Sequence, residues 1–64
     1  MILLTRLDGK EILLNERLFE LVEETPDTVV TMQNGHVYIV KESLYDILRK
    51  IQQSGPGAGS SPYR

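Results

Sequence analysis

The stretch VVTMQNGHVYIV, residues 29–40, decides the fold. Runs of β-branched and aromatic residues flank the pair Asn34-Gly35, and such runs favour extended strands. Asn-Gly is a preferred pair in the tight turns that join antiparallel strands. The stretch therefore predicts a β-hairpin with strands at Val29–Met32 and Val37–Val40.

The N-terminal segment predicts a second hairpin of the same kind. Asp8-Gly9 separates the segments Ile2–Leu7 and Lys10–Leu14. We expect a two-residue type I′ turn here, because both of its central residues need positive φ, which Gly adopts freely and Asp tolerates.

The segment between the hairpins, Leu18–Glu24, is predicted to be a third strand. Phe19 and Leu21 would then share one face at period 2. A helix is the alternative, because Leu18, Leu21 and Val22 also fit helical spacing. The strand is the favoured interpretation.

Two turns bound this third strand. Asn15–Arg17 turns the chain before it, and Thr25–Thr28 reverses the chain after it. Pro26 is expected at the first central position of the second turn, and the Asp27 carboxylate is expected to accept a backbone hydrogen bond from two residues on. Five strands in antiparallel succession follow from these signals.

The hydrophobic period changes after the fifth strand. Apolar residues then recur at the helical spacing i, i+3, i+4, i+7, at Leu44, Ile47, Leu48 and Ile51. Ser43 is the predicted N-cap, and Asp46 stands where a capping box needs its acid. The predicted fold class is mainly β (α+β): a five-stranded antiparallel meander, or a small curled sheet or barrel, with one C-terminal amphipathic helix.

Composition divides the 64 residues into a folding unit at 1–53 and a tail at 54–64. The tail contains 3 Gly, 3 Ser and 2 Pro, and it cannot bury enough apolar surface to offset its ordering entropy. There is no cysteine, so disulfides are excluded, and stability must come from packing.

Charge and hydropathy exclude further classes. The net charge is −2 for the chain and −3 for residues 1–53, which hold 6 basic and 9 acidic side chains. An acidic balance disfavours nucleic acid as a partner. The longest apolar runs are far shorter than the roughly 20 residues of a membrane helix, and no signal peptide is recognisable. The expected location is the cytoplasm.

Few residues offer catalytic or metal-binding chemistry. His36 falls in a predicted turn, and Ser43 is explained as a helix cap. Glu23, Glu24 and Asp27 form an acidic edge without the ligand spacing of a calcium loop. We expect no enzyme activity and no cofactor.

Several strands are apolar on both faces. In their strands, Leu3 and Leu13 would point to the face opposite to that of the apolar residues next to them. In the fifth strand, Val37 and Ile39 would likewise point away from the face of Tyr38. One short helix can cover only one face of a sheet. The second face therefore predicts a homo-oligomer, the alternative being a strongly curled monomer.

Two cations stand at predicted strand ends. We expect Arg6 and Lys41 to form salt bridges with Glu11, Glu42 or another neighbouring acid. The alternative is that paired strand ends form an RNA-gripping patch.

The chain resembles the FlbD/SwrD family of small bacterial flagellar proteins. The resemblance is carried by the segments Met1–Glu11, Glu23–Val29, Asn34-Gly35 and Val40–Ser43, and it extends to about Ile51. Recurrent family positions that match here are Thr5, Gly9, Asn15, Glu24, Pro26, Asp27, Thr28, Asn34, Gly35, Glu42 and Ser43.

The resemblance implies a non-catalytic cytoplasmic accessory protein that supports swarming by raising the power of the flagellar motor. Its expected partner is the stator or another motor component at the inner face of the membrane. The candidate partner-binding residues are the acidic-turn positions Glu24, Asp27 and Thr28, and the strand-end cations Arg6 and Lys41.

The succession of five strands and a helix is also similar to the CsrA-type RNA-binding regulators. In those proteins an arginine-bearing segment before the helix grips RNA, whereas Lys41-Glu42 stands in that place here. An RNA-binding post-transcriptional regulator is therefore the alternative function.

Overall fold

The computed structural model describes residues 1–54 and is mainly β. The elements are β1 (Ile2–Thr5), β2 (Glu11–Leu14), a 3₁₀ helix (Glu16–Leu18), β3 (Phe19–Glu24), β4 (Thr28–Met32), β5 (Val37–Val40) and α1 (Leu44–Ser54). Five strands and one C-terminal helix confirm the predicted fold class. The predicted tail lies outside the described residues except for Ser54, which ends the helix.

The strands form two antiparallel sheets, β1-β2 and β3-β4-β5. The sheets meet at one corner, where Arg6 bridges to Val40 and the Lys41 N–H donates to the Thr5 carbonyl at 2.8 Å. The predicted meander is interrupted between β2 and β3, where the 3₁₀ helix carries the chain to the second sheet. The strands do not close into a barrel.

Both glycine hairpins have three-residue loops, so the predicted type I′ turn at Asp8-Gly9 is wrong. The Arg6 N–H donates to Lys10, and the Gly9 N–H donates to Arg6. Gly9 has φ +92°, and Asp8 stays at negative φ because no non-glycine residue within 1–54 has positive φ. This is a type I turn followed by a glycine bulge.

The side chain before each loop glycine explains this geometry. The Asp8 carboxylate accepts the Lys10 N–H at 3.0 Å, and the Asn34 amide oxygen accepts the His36 N–H at 3.0 Å. Such bonds to the backbone two residues on stabilise a turn around the polar residue itself, and only the glycine then needs positive φ.

The third strand is confirmed, but its predicted face is wrong. A register shift lies between the pairs Phe19–Met32 and Leu21–Thr31. A β-bulge adds one residue and so reverses the alternation beyond it. Phe19 and Val22 therefore pack against the core, while Leu21 is 43% exposed.

The turn between β3 and β4 differs in detail from the prediction. Pro26 is the central residue of a three-residue loop, in which the Thr25 N–H donates to the Asp27 carbonyl at 3.1 Å and the Thr25–Pro26 bond is cis. Within residues 1–54 the Asp27 carboxylate accepts no backbone hydrogen bond, contrary to expectation.

One core joins both sheets to the helix. Helix α1 packs against β1 and β3, so that it crosses the inner side of the joined sheets. Burial of these apolar side chains is the main stabilising contribution. The buried apolar side chains of this core are Ile2, Leu4, Leu14, Val30, Met32, Val40 and Ile47.

Candidate functional site

The N-terminus of α1 is capped from two directions. The Ser43 hydroxyl accepts the Asp46 N–H at 3.0 Å, and Asp46 Oδ2 accepts the Ser43 N–H at 3.2 Å, which confirms the predicted capping box. In addition, Glu24 Oε1 accepts the Leu44 N–H at 2.8 Å. The end of β3 therefore holds the start of the helix through a carboxylate.

A second carboxylate ties β1 to the segment before the helix. Glu42 Oε1 accepts the Thr5 N–H at 2.9 Å, and Glu42 Oε2 accepts the Thr5 hydroxyl at 2.9 Å. The residues are 37 positions apart in the chain. Sequence reasoning missed this pair, because no local spacing relates the two positions.

The surroundings of the Asp46 carboxyl lower its pKa. The Ser43 backbone N–H lowers the pKa of Asp46 below its usual value, with further lowering by the Ser43 hydroxyl and the Arg49 guanidinium, 3.3 Å away. A hydrogen bond or cation favours the charged form of an acid. The capping box is therefore strongest when Asp46 is ionised.

We expect Asp46→Asn to reduce the loss of folding stability that occurs at acidic pH. A depressed folded-state pKa contributes stability above the unfolded-state pKa, and this stability is lost as pH falls through the folded-state value. Urea unfolding at about pH 6 and about pH 2 should show a smaller difference for Asp46→Asn than for the parent. Asp27→Asn, which removes an exposed carboxyl, is the matched control and should track the parent. Equal pH slopes for all three proteins would contradict the assignment.

The structure separates the candidate residues of the acidic turn. Glu24 is engaged at the helix N-terminus, and Thr28 is buried, with 4% of its surface exposed. Asp27 is exposed at the tip of the turn. Of these three candidates, Asp27 presents its side chain to solvent without a hydrogen bond to the rest of residues 1–54.

Arg6 and Lys41 lie at the same corner between the sheets, where Arg6 bridges to Val40 and the Lys41 N–H donates to the Thr5 carbonyl. Arg6 shares a face with Val40, and Lys41, the next residue after Val40, lies on the opposite face. Both side chains are exposed. The expected salt bridges to Glu11 or Glu42 do not form among the described residues. The physical reason at Glu42 is that Thr5 already occupies both carboxylate oxygens.

Apolar side chains cover the outer side of the joined sheets. We call this surface the outer face and define it by Leu7, Leu21, Val29, Val37 and Ile39. Leu21 of β3 pairs with Thr31 of β4, which in turn pairs with Val37 of β5. In the next row, Val29 of β4 pairs with Ile39 of β5. The exposed fractions are 50% for Leu7, 43% for Leu21, 55% for Val37 and 41% for Ile39. Exposed apolar side chains grouped on one face are a common feature of interaction sites.

An open groove of about 340 Å³ lies at one side of the outer face. Its walls come from the first hairpin and from β5, and its lining residues are Arg6, Leu7, Asp8, Val37, Tyr38 and Ile39. The two-faced strands predicted this exposure at Leu7, Val37 and Ile39. Leu21 was missed, because only the bulge in β3 turns it outward.

Other kinds of site find little support in this part of the chain. No cluster of three or more His, Cys, Asp or Glu side chains within residues 1–54 is arranged to hold a metal ion. His36 is exposed in the second hairpin loop, where its ring contacts the Asn34 amide at 3.4 Å. Over the same residues, the structure contains no helix with the length and apolar character needed to cross a membrane.

The fold and the site define a small α+β protein in which two joined sheets expose an apolar outer face. Its family is shown by a family model that matches residues 1–55. The chain belongs to the FlbD family of flagellar and swarming motility proteins. Neither a curated protein nor a solved structure matches it.

Proposed function

We propose that this protein is a non-catalytic cytoplasmic accessory protein of the bacterial flagellar motor. It supports swarming by increasing motor power through contacts with the stator or another motor component, at the inner face of the membrane. The observation that carries the proposal is membership of a flagellar and swarming motility family over residues 1–55.

The surface chemistry supports action by protein contact. The outer face offers apolar side chains, and the groove beside it is open and lined by both apolar and charged residues. Protein interfaces combine an apolar centre with a polar rim in this way. Enzyme sites instead place convergent polar groups inside a concave, largely enclosed pocket.

The proposed contact residues for the motor component are Arg6, Lys41 and Asp27, whose charged groups are exposed. Glu24 and Thr28 have structural roles instead, because the exposed Glu24 carboxylate holds the helix N-terminus and Thr28 is buried. Exposed charges mainly set the partner's identity and the rate of association.

The experiment is deletion of the gene, followed by complementation. We expect deleted cells to assemble filaments in normal number but to swarm poorly and to rotate tethered beads with reduced torque. Complementation with Asp27→Lys should restore less torque than the parent, whereas Glu20→Lys, which changes an exposed acid in β3, should restore it fully. Cells without filaments, or with unchanged torque, would overturn the proposal.

A second candidate function is RNA binding, and one observation favours it. Arg6 and Lys41 lie at the same corner between the sheets, and both are exposed and form no ion pair within residues 1–54. Phosphate contacts dominate RNA affinity, and each one adds to the salt dependence of binding. A gel shift with single-stranded RNA at low and physiological salt tests whether the protein binds RNA. A salt-sensitive complex that Arg6→Glu abolishes would support this function, and absence of any complex would exclude it.

A further inference from the structure

The outer face carries opposite charges on its two sides. Glu23 projects from β3, the outermost strand of its sheet, and lies in the same row as Val29 and Ile39. Lys41 follows β5 and continues the outward alternation of Val37 and Ile39, because Val40 between them points into the core. Both charged side chains are exposed, and neither forms an ion pair within residues 1–54.

We propose that a second copy of this chain covers the outer face and forms a two-fold dimer. Glu23 of each copy then lies against Lys41 of the other copy. This inference goes beyond the proposed function, because it assigns a partner to the outer face. In the dimer Arg6 and Asp27 still face the motor component, whereas Lys41 contacts the second copy and reaches the motor component only in the monomer.

Two-fold symmetry requires a surface that is complementary to itself. A purely acidic or purely basic rim would repel its own copy. Here an apolar centre lies between an acid on one side and a base on the other, so rotation by half a turn brings unlike charges together. A partner of uniform charge would be attracted by only one of the two charged sides of this face and repelled by the other.

The positions of the charges also favour one of two possible orientations of the second copy. A two-fold axis across the strands would place β3 over β3, and this would oppose the exposed acids Glu20 and Glu23 to their own copies. An axis along the strands places β3 over β5 of the second copy. Glu23 then faces the row of Ile39, and Lys41 lies two residues further, about 7 Å along the strand. The two long side chains can span this distance.

The size of the face predicts a moderate affinity. Stable interfaces bury about 800 Å² per partner, whereas here only β3, β4 and β5 overlap, with the four apolar side chains Leu21, Val29, Val37 and Ile39. We therefore expect dissociation constants on the order of 10 μM to 1 mM. The concentration range of the experiment follows from this estimate.

The experiment measures mass against concentration for the full chain, by light scattering or sedimentation equilibrium. We expect a reversible monomer–dimer equilibrium. Glu23→Lys and Lys41→Glu should each raise the dissociation constant at least about tenfold, since each opposes like charges at two symmetric places. The double variant Glu23→Lys/Lys41→Glu exchanges the charges and should return the constant to within about threefold of the parent.

Two further variants separate dimerisation from folding. Val37→Asp places a charge among the apolar side chains of the face and should abolish the dimer while the circular dichroism spectrum is retained. Tyr45→Ser removes an aromatic ring that is 73% exposed on the helix, away from the face, and should leave the equilibrium unchanged.

A strict monomer up to about 1 mM would overturn the proposal, as would failure of the charge exchange to restore association. Equal weakening by Tyr45→Ser would also overturn it, because the contact would then involve the helix. These measurements use purified protein, so their failure leaves the torque experiment and the proposed motor function unaffected.

Discussion

Leu4→Ala is expected to destabilise the protein by about 2–5 kcal/mol, the range for deleting a fully buried leucine side chain. Leu4 has 0% exposure and lies in the core cluster that joins β1 to Val30, Val40 and Ile47. The substitution removes apolar contacts and leaves a cavity where both sheets and the helix meet. Urea unfolding followed by circular dichroism measures the loss.

The matched control is Leu3→Ala, one residue away on the opposite face of the same strand. Leu3 is 43% exposed, so its substitution should cost well under 1 kcal/mol. A domain of this size rarely has more than about 3–5 kcal/mol of stability. The Leu4→Ala variant can therefore be unfolded even without denaturant. Leu4→Met keeps the volume and should cost less than about 1.5 kcal/mol. Equal effects of Leu3→Ala and Leu4→Ala would contradict the assigned faces of β1.

Glu42→Ala is expected to destabilise the protein by about 1.5–3 kcal/mol, because it removes hydrogen bonds to a charged acceptor and leaves the Thr5 N–H without its partner. The side chain is half-buried and links β1 to the start of α1. Chemical unfolding at neutral pH measures the effect. Glu20→Ala, at an exposed position in β3, should change stability by less than about 0.5 kcal/mol.

A double-mutant cycle tests the pairing directly. Thr5→Val removes the hydroxyl donor but keeps the backbone N–H, so it should cost less than Glu42→Ala. The combined variant Thr5→Val/Glu42→Ala should cost less than the sum of the two single changes. Strict additivity would show that the two side chains do not interact, and the assigned contact would then be wrong.

The strand and helix positions were predictable because their signals are local. Asn34-Gly35 and Asp8-Gly9 mark the two hairpins, and Ser43 with Asp46 marks the start of the helix, within three residues in each case. The loop type was mispredicted because Asp8 and Asn34 bond to the backbone two residues on, and this competes with positive φ at those positions.

The candidate site was predictable only in part. The exposed apolar residues of β5 follow from strand alternation, but Leu21 turns outward only through a register shift against β4. Arg6 and Lys41 were expected to be paired with acids. Glu42 is instead held by Thr5, and this frees the two cations for other partners.

The sequence by itself determined the number, order and approximate limits of the strands and the helix, because turn residues, alternation and capping act within a few residues. Only the tertiary structure decided how two sheets share a corner, which carboxylates anchor the helix, and which apolar side chains form the outer face. These features depend on pairs such as Thr5 with Glu42 and Glu24 with Leu44, which are 37 and 20 positions apart. Contacts at such separations form only when the whole chain has folded, so no local pattern predicts them.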